Sequence, residues 1–254
     1  MLKFSANISM LFTEVELVRR FELAKLAGFK GVEIQFPYSL SAIKIKEILD
    51  DQQLVLPLFN VDADDLLQGG EGLASAPEKK QQFRAAVNQA LEYAEILKPE
   101  VINVLPGRCY DLSRVHEYLE TFKENLAFAE AAFASLGLKT VFEAINTKDM
   151  PGFIINNGSG MLAILDELKL PNLLMQYDIY HLTMMGENVN YFISRHAHQI
   201  GHIQFADCPG RGQPGTGSVD FATVFSTINN SKYCGWVGAE YKPIGKTNNS
   251  LAWL

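Results

Sequence analysis

Short runs rich in Val, Ile and Phe alternate with longer stretches of helical period along the whole chain. The runs are Lys3–Ile8, Gly31–Phe36, Leu54–Phe59, Val101–Leu105, Lys139–Ala144, Leu173–Asp178, Ile200–Phe205 and Gly235–Glu240. Most are nearly continuous in apolar residues, the pattern of parallel strands buried on both faces. Parallel neighbours need long crossovers, and the stretches between the runs are long enough to provide them as helices.

Local signals support those helices. Thr13 with Glu16 reads as a capping box opening the first, Val15, Val18, Phe21 and Ala24 form its apolar stripe, and Gly28 closes it. Ser75 with Glu78 reads as a second capping box, with Pro77 in the first turn and Phe83, Val87, Ala90, Leu91 and Ala94 following at helical spacing. Leu119–Phe133 is a further long helix, and Asp220 is placed to cap one running through Val224 and Ile228. Eight β–α units in 254 residues match the usual size of a (β/α)8 barrel. The competing doubly wound sheet would carry a Gly-rich phosphate loop after its first strand, where this chain has Ala6-Asn7-Ile8-Ser9-Met10. With no linker, charge block or low-complexity tract, the expectation is an α/β chain forming a single TIM barrel over residues 1–254.

Composition narrows the partners. With 22 Lys+Arg against 29 Asp+Glu the net charge is −7, the wrong sign for a phosphate-backbone partner, so no nucleic acid is expected. Three cysteines (Cys109, Cys208, Cys234) without CxxC spacing fit a reducing compartment and no disulfide framework or zinc ribbon. No stretch of 18 apolar residues occurs, and Ser5, Asn7 and Ser9 interrupt the apolar start, so neither a membrane span nor a signal peptide is expected. A cytoplasmic protein is the expectation, and a homo-oligomer is compatible with it.

In such barrels chemistry gathers at the C-terminal ends of the strands. Strands five to eight end in Glu143, Asp178, Gln204 and Glu240. One polar strand end is ordinary, because a loop begins there; four on adjacent strands are not. Three carboxylates facing one mouth repel each other unless a cation sits among them. These four are therefore candidate metal ligands, and an all-oxygen set selects Mg2+ or Mn2+. His181, three residues after Asp178, can reach a substrate oxygen or else faces solvent in its loop. His202 shares the inward face of Gln204 one layer lower and reads as a supporting histidine. The loop Pro209–Gly217 carries four glycines around Arg211, which either contacts an anion or faces solvent on a mobile lid. Arg108, just after the fourth strand, is a second candidate for anion contact.

Several motifs are specific enough to mark a relationship. Phe4–Phe12, Gly28–Glu33 with Phe36-Pro37-Tyr38, Gly70–Ala74, Glu143–Asn146 with Met150–Phe153, Gln176–His181 and Glu240–Pro243 resemble the hydroxypyruvate isomerases, within the xylose isomerase-like barrels. The resemblance runs nearly end to end. It implies a TIM barrel that interconverts hydroxypyruvate and 2-hydroxy-3-oxopropanoate, with Glu143 and Glu240 as the catalytic pair and Glu143, Asp178, Gln204 and Glu240 as the metal quartet. Related epimerases carry histidine where this chain has Gln204, and their substrate-contacting positions fall on His181 and Arg211. Nearby branches act on 2-oxo-tetronates or epimerise ketoses, and these are the alternatives, as is a non-catalytic barrel binding a sugar acid. The related endonuclease branch needs a histidine-rich zinc cluster and a basic groove, which five histidines and a charge of −7 do not supply.

The residue types fit that chemistry independently. Moving a carbonyl between adjacent carbons needs a base for a C–H proton, an acid to return one, and stabilisation of the enediolate between. A small carboxylate substrate also needs a cationic anchor, for which Arg211, Arg108 and Lys242 are the candidates.

Overall fold

The computed structural model describes residues 2–254. Eight strands form one all-parallel sheet: β1 (Lys3–Asn7), β2 (Gly31–Glu33), β3 (Leu58–Asn60), β4 (Val101–Val104), β5 (Lys139–Glu143), β6 (Leu173–Asp178), β7 (Ile200–Phe205) and β8 (Trp236–Ala239). Their order is β2-β1-β8-β7-β6-β5-β4-β3, and parallel bridges Gly31–Val55 and Ile34–Phe59 join the two ends. The sheet therefore closes on itself as a TIM barrel, and the open doubly wound alternative falls away.

Helices α1 (Leu17–Leu26), α2 (Ala42–Gln52), α3 (Lys80–Leu97), α4 (Val115–Ala134) and α5 (Gly158–Leu168) follow the first five strands in turn. Two, α6 (Ile179–Met184) and α7 (Val189–His196), lie between β6 and β7, and α8 (Phe221–Asn230) lies between β7 and β8. After β8 the chain makes only a short 3-10 turn at Thr247–Ser250. The aromatic cover there comes instead from Trp253, whose ring meets Phe4 at 5.3 Å, Phe205 at 4.9 Å and Phe225 at 6.3 Å.

Element ends show where local signals were followed. Gly28 (φ 102°) closes α1 by donating to Lys25 O, while Phe29 donates to Ala24 O, and Asp220 caps α8 through the Thr223 N–H at 3.1 Å. The two expected capping boxes do not form. Helix α1 begins after Glu16 rather than Thr13, and Pro77–Lys79 is a 3-10 turn before α3, leaving the buried Ser75 hydroxyl without a partner. Strand β3 starts at Leu58 rather than Leu54 because Pro57 has no N–H for a ladder; its carbonyl instead accepts from Glu100 and Val101.

The consequence for function is the ring of polar side chains at the C-terminal rim. Asn7, Glu33, Asn60, Glu143 and Asp178 end their strands, Asn103 and Gln204 stand one residue before an end, and Glu240 follows β8 directly; all are buried.

Candidate active site

The register of the sheet builds the floor of the site. Asp178 on β6 lies opposite Gln204 on β7, and Glu143 on β5 opposite Gln176. Gln176 Nε2 donates both to Glu143 Oε2 (2.8 Å) and to Gln204 Oε1 (2.6 Å), and Asn103 adds a bond to Glu143 Oε2 (3.2 Å). Gln204 Nε2 donates to Glu33 Oε2 (2.8 Å), and His202 Nε2 pairs with Glu33 Oε1 (2.9 Å). His202 is thus the supporting histidine its position suggested. Glu33 occupies space that Gly238 leaves free: a Cβ on Gly238 would stand 2.2 Å from Glu33 Oε1.

Asp178 both ends β6 and caps α6. Its Oδ1 accepts from the N–H groups of Tyr180 (2.7 Å) and His181 (3.3 Å), which leaves Oδ2 buried without a hydrogen bond. The first turn of α6 carries His181 over the same mouth, with Nε2 3.6 Å from Asp178 Oδ2 and 3.9 Å from Glu143 Oε1. Its side chain is 2% exposed, so it is no solvent-facing loop histidine.

Arg211 also turns inward. Its Nη2 lies 2.6 Å from Glu240 Oε2 and 3.8 Å from Asp178 Oδ2, and its guanidinium stands over the Tyr180 ring at 5.5 Å. The Gly-rich loop is pinned rather than loose. Buried Asp207 accepts from the N–H groups of Cys208, Gly215, Gly217 and Val219, and the Arg211 carbonyl accepts from Lys242 N at 2.7 Å. Glu240 Oε1 accepts from Asn7 (2.9 Å) and Gln35 (2.8 Å).

Arg108 lies in the loop after β4 and makes its hydrogen bonds to other groups than the carboxylates of the mouth. It is the one buried lysine or arginine among the described residues. It donates to the Tyr110 hydroxyl at 2.9 Å and, at 3.4 Å, to the Leu66 carbonyl, both neutral, and its Nε has no partner. Around it the loops after the second to fifth strands contribute an apolar cluster that includes Leu66, Leu105, Ile145 and Phe153. Lys242 is exposed. Of the sequence candidates, then, Glu143, Asp178, Gln204, Glu240, His181 and Arg211 come together, and Arg108 is a buried charge bonded to none of them.

The site is rich in negative charge. Burial pushes the Glu143 carboxyl well above its ordinary range, and the charges of Asp178 and Glu240 push it the same way. Burial likewise raises Asp178, to about 7, against the pull of Arg211. Burial and then Arg211 hold His181 well below the usual histidine range, so the ring is neutral. Ligand atoms of Glu143, Asp178 and His181 lie within 4.8 Å of one another. The unpartnered Asp178 Oδ2 and the raised carboxyls fit a divalent cation, which would satisfy the first and favour ionisation of the second.

Sequence reasoning overlooked Asn7, Asn103 and Gln176 as partners of the glutamates, Asn146 as a partner of His181, and Asp207. The strand-end rule applied to β1 would have found Asn7, which ends that strand, whereas Asn103 lies inside the fourth apolar run. Polar residues at alternate positions of otherwise apolar strands, Gln176 with Asp178 and His202 with Gln204, were a second usable signal.

Comparison with known proteins bears on the fold and the family. The family described as "Xylose isomerase-like TIM barrel" matches residues 21–254. The hydroxypyruvate isomerase of Escherichia coli is 38% identical, covering 100% of this chain and 98% of its own. A 2-oxo-tetronate isomerase of Cupriavidus necator is 36% identical over 99% of this chain and 97% of its own. Among solved structures, one described as "AP endonuclease, family 2" from Brucella melitensis superposes with a TM-score of 0.95 at 36% identity, covering 100% of this chain and 98% of that one. A closed eight-stranded barrel, a carboxylate-lined mouth and full-length relatives at this identity place the chain in the xylose isomerase-like TIM barrel family.

Proposed function

We propose that this chain is a hydroxypyruvate isomerase, interconverting hydroxypyruvate and 2-hydroxy-3-oxopropanoate. The observation that carries the reading is a pair of buried glutamates, Glu143 and Glu240, facing one mouth with Asp178 beside them, in a chain with full-length isomerase relatives. Glu143 and Asp178 would hold a divalent cation, Mg2+ or Mn2+, with Gln204 and Glu240 completing an oxygen set. When bound, the cation supplies Lewis-acid polarisation of the carbonyl and hydroxyl oxygens.

The protein's own groups do the rest. One glutamate takes a proton from C3 of hydroxypyruvate, the other delivers one to C2, and the hydroxyl proton passes from O3 to O2. Arg108 anchors the substrate carboxylate, because a buried guanidinium bonded only to neutral groups is stabilised by an anion. Arg211 is already paired with Glu240 and Asp178, and Lys242 faces solvent. A 2-oxo-tetronate has the same carboxylate and is the second reading, supported by the 36% relative. A cytoplasmic location belongs to the same reading, and the three free cysteines are compatible with it.

The test compares kcat/KM for hydroxypyruvate, a 2-oxo-tetronate and a neutral ketose with Mg2+ present. Hydroxypyruvate is expected to lead, and Arg108→Met to raise its KM. A higher value for the 2-oxo-tetronate moves the chain to that branch, and a higher value for the neutral ketose defeats the carboxylate reading.

A further inference from the structure

We infer that Asn146 is a positioning residue: it fixes which ring nitrogen of His181 bears the hydrogen, so that an Nε2–H is offered to a substrate oxygen at the barrel mouth. Asn146 follows Glu143 by three residues and is fully buried. Its side-chain oxygen accepts from the backbone N–H groups of Lys148 (3.1 Å) and Asp149 (2.8 Å). Its side-chain nitrogen donates to Asp149 Oδ2 (3.1 Å) and lies 2.7 Å from His181 Nδ1. Asp149 Oδ2 is itself held by the Tyr180 hydroxyl at 2.6 Å.

These partners settle the amide's orientation. Two backbone donors require the oxygen on one side and a carboxylate requires the nitrogen on the other, so an N–H faces the imidazole. His181 Nδ1 must therefore accept. A neutral imidazole that accepts at one nitrogen carries its hydrogen on the other.

Two consequences follow for the mouth. A protonated Nε2 has no lone pair for a metal, so His181 is no ligand although it lies within reach of Glu143 and Asp178; any cation there is held by oxygens. The nearest carboxylate oxygens, at 3.6 and 3.9 Å, are beyond hydrogen-bond length, which leaves the N–H for a ligand. A neutral donor so placed stabilises the oxygen that gains charge as the enediolate forms. This last step rests on the reading of the mouth as an isomerisation site; the tautomer does not.

The experiment uses full-length protein labelled with 15N-histidine, read by two-bond 1H–15N correlation at pH 8 with and without Mg2+. The His181 signals are identified by their loss in His181→Gln. Wild type is expected to show hydrogen on Nε2 and a bare Nδ1, unchanged by Mg2+. Asn146→Asp keeps the oxygen that the backbone amides need but has no donor for the ring. It is expected to protonate Nδ1 and to lower kcat on hydroxypyruvate about 10–100-fold, with KM changed less. Hydrogen on Nδ1 in wild type, loss of the Nε2 hydrogen on adding Mg2+, or a bare Nδ1 in Asn146→Asp each overturns the inference. The Nε2–H form in a chain that does not turn over hydroxypyruvate leaves the Asn146–His181 assignment standing and sinks the substrate reading.

Discussion

Nη2 of Arg211 donates to Oε2 of Glu240 at 2.6 Å and stands 3.8 Å from Oδ2 of Asp178, so one guanidinium lies between two of the three carboxylates of the mouth. It is the resident positive charge of a site that buries more negative than positive groups, and its field lowers the pKa values of both Glu143 and Asp178. A divalent cation would meet the same oxygens. Removing Arg211 should therefore make the protein more dependent on added metal. Arg211→Met is expected to have a lower Tm than wild type without metal at pH 8, and a larger Tm gain on saturating Mg2+. An equal or smaller gain would show that the guanidinium and the cation do not serve the same charges.

Gly238 is glycine because Glu33 fills the place of its side chain, with the Cβ position 2.2 Å from one carboxylate oxygen and 2.6 Å from the other. Glu33 in turn holds Gln204 and His202 and cannot withdraw without breaking both bonds. Gly238→Ala should therefore behave as overpacking of a buried polar layer and cost about 1–3 kcal/mol. Urea denaturation of the variant measures this directly; an unchanged midpoint would mean that Glu33 has room to move.

The fold was legible because each strand is buried on both faces, and near-continuous apolar runs survive in the sequence as a count. The four strand ends from Glu143 to Glu240 were legible for the complementary reason: oxygen-bearing side chains break that apolar pattern where the barrel opens. What was hidden depends on contacts between distant segments. Nothing local in Asn7 points to Glu240, 233 positions away, and nothing in Glu33 points to His202. Asp207 looked like any loop residue, although four backbone N–H groups converge on it and shape the loop that presents Arg211. Capping boxes failed for a related reason, since Thr13 and Ser75 offer a local preference that the path of the loop overrides.

The buried carboxyls also make metal binding depend on pH. Asp178 rises from an ordinary 3.8 to about 7 in the folded protein, and Glu143 is raised as well. Between about pH 4 and 7 the folded chain keeps protons that the unfolded chain has released, so stability without metal falls as pH rises through that window. A cation binds only the ionised carboxylates and must displace those protons. The Tm gain on adding Mg2+ is therefore expected to be small at pH 5 and to grow as pH rises through about 7, where Asp178 ionises. A gain independent of pH over that range would remove Glu143 and Asp178 from the cation site.

Glu143 and Glu240 are set apart from Asp178 by what each can do after losing its charge. Asp178 caps α6 through Oδ1 and leaves Oδ2 free, which suits a ligand. Glu143 Oε2 is held by Gln176 and Asn103, with Oε1 turned toward His181, while Glu240 is held by Asn7, Gln35 and Arg211. Each glutamate is thus fixed in orientation by neighbours that do not titrate near neutrality, as an acid–base group must be. Gln at either position keeps size and one oxygen ligand but removes the group that carries a proton. Loss of a general acid or base lowers rate by about 10²–10⁴-fold, whereas a weakened ligand is compensated by more cation. Glu143→Gln and Glu240→Gln are each expected to lose at least about a hundredfold in kcat at saturating Mn2+ with folding intact, and Asp178→Asn to regain much of its rate as metal is added. Near-normal turnover of Glu240→Gln at saturating metal would make Glu240 a ligand only. The second proton would then have to be moved by another group at the mouth, and His181 is the neighbour whose Nε2–H is placed to do it.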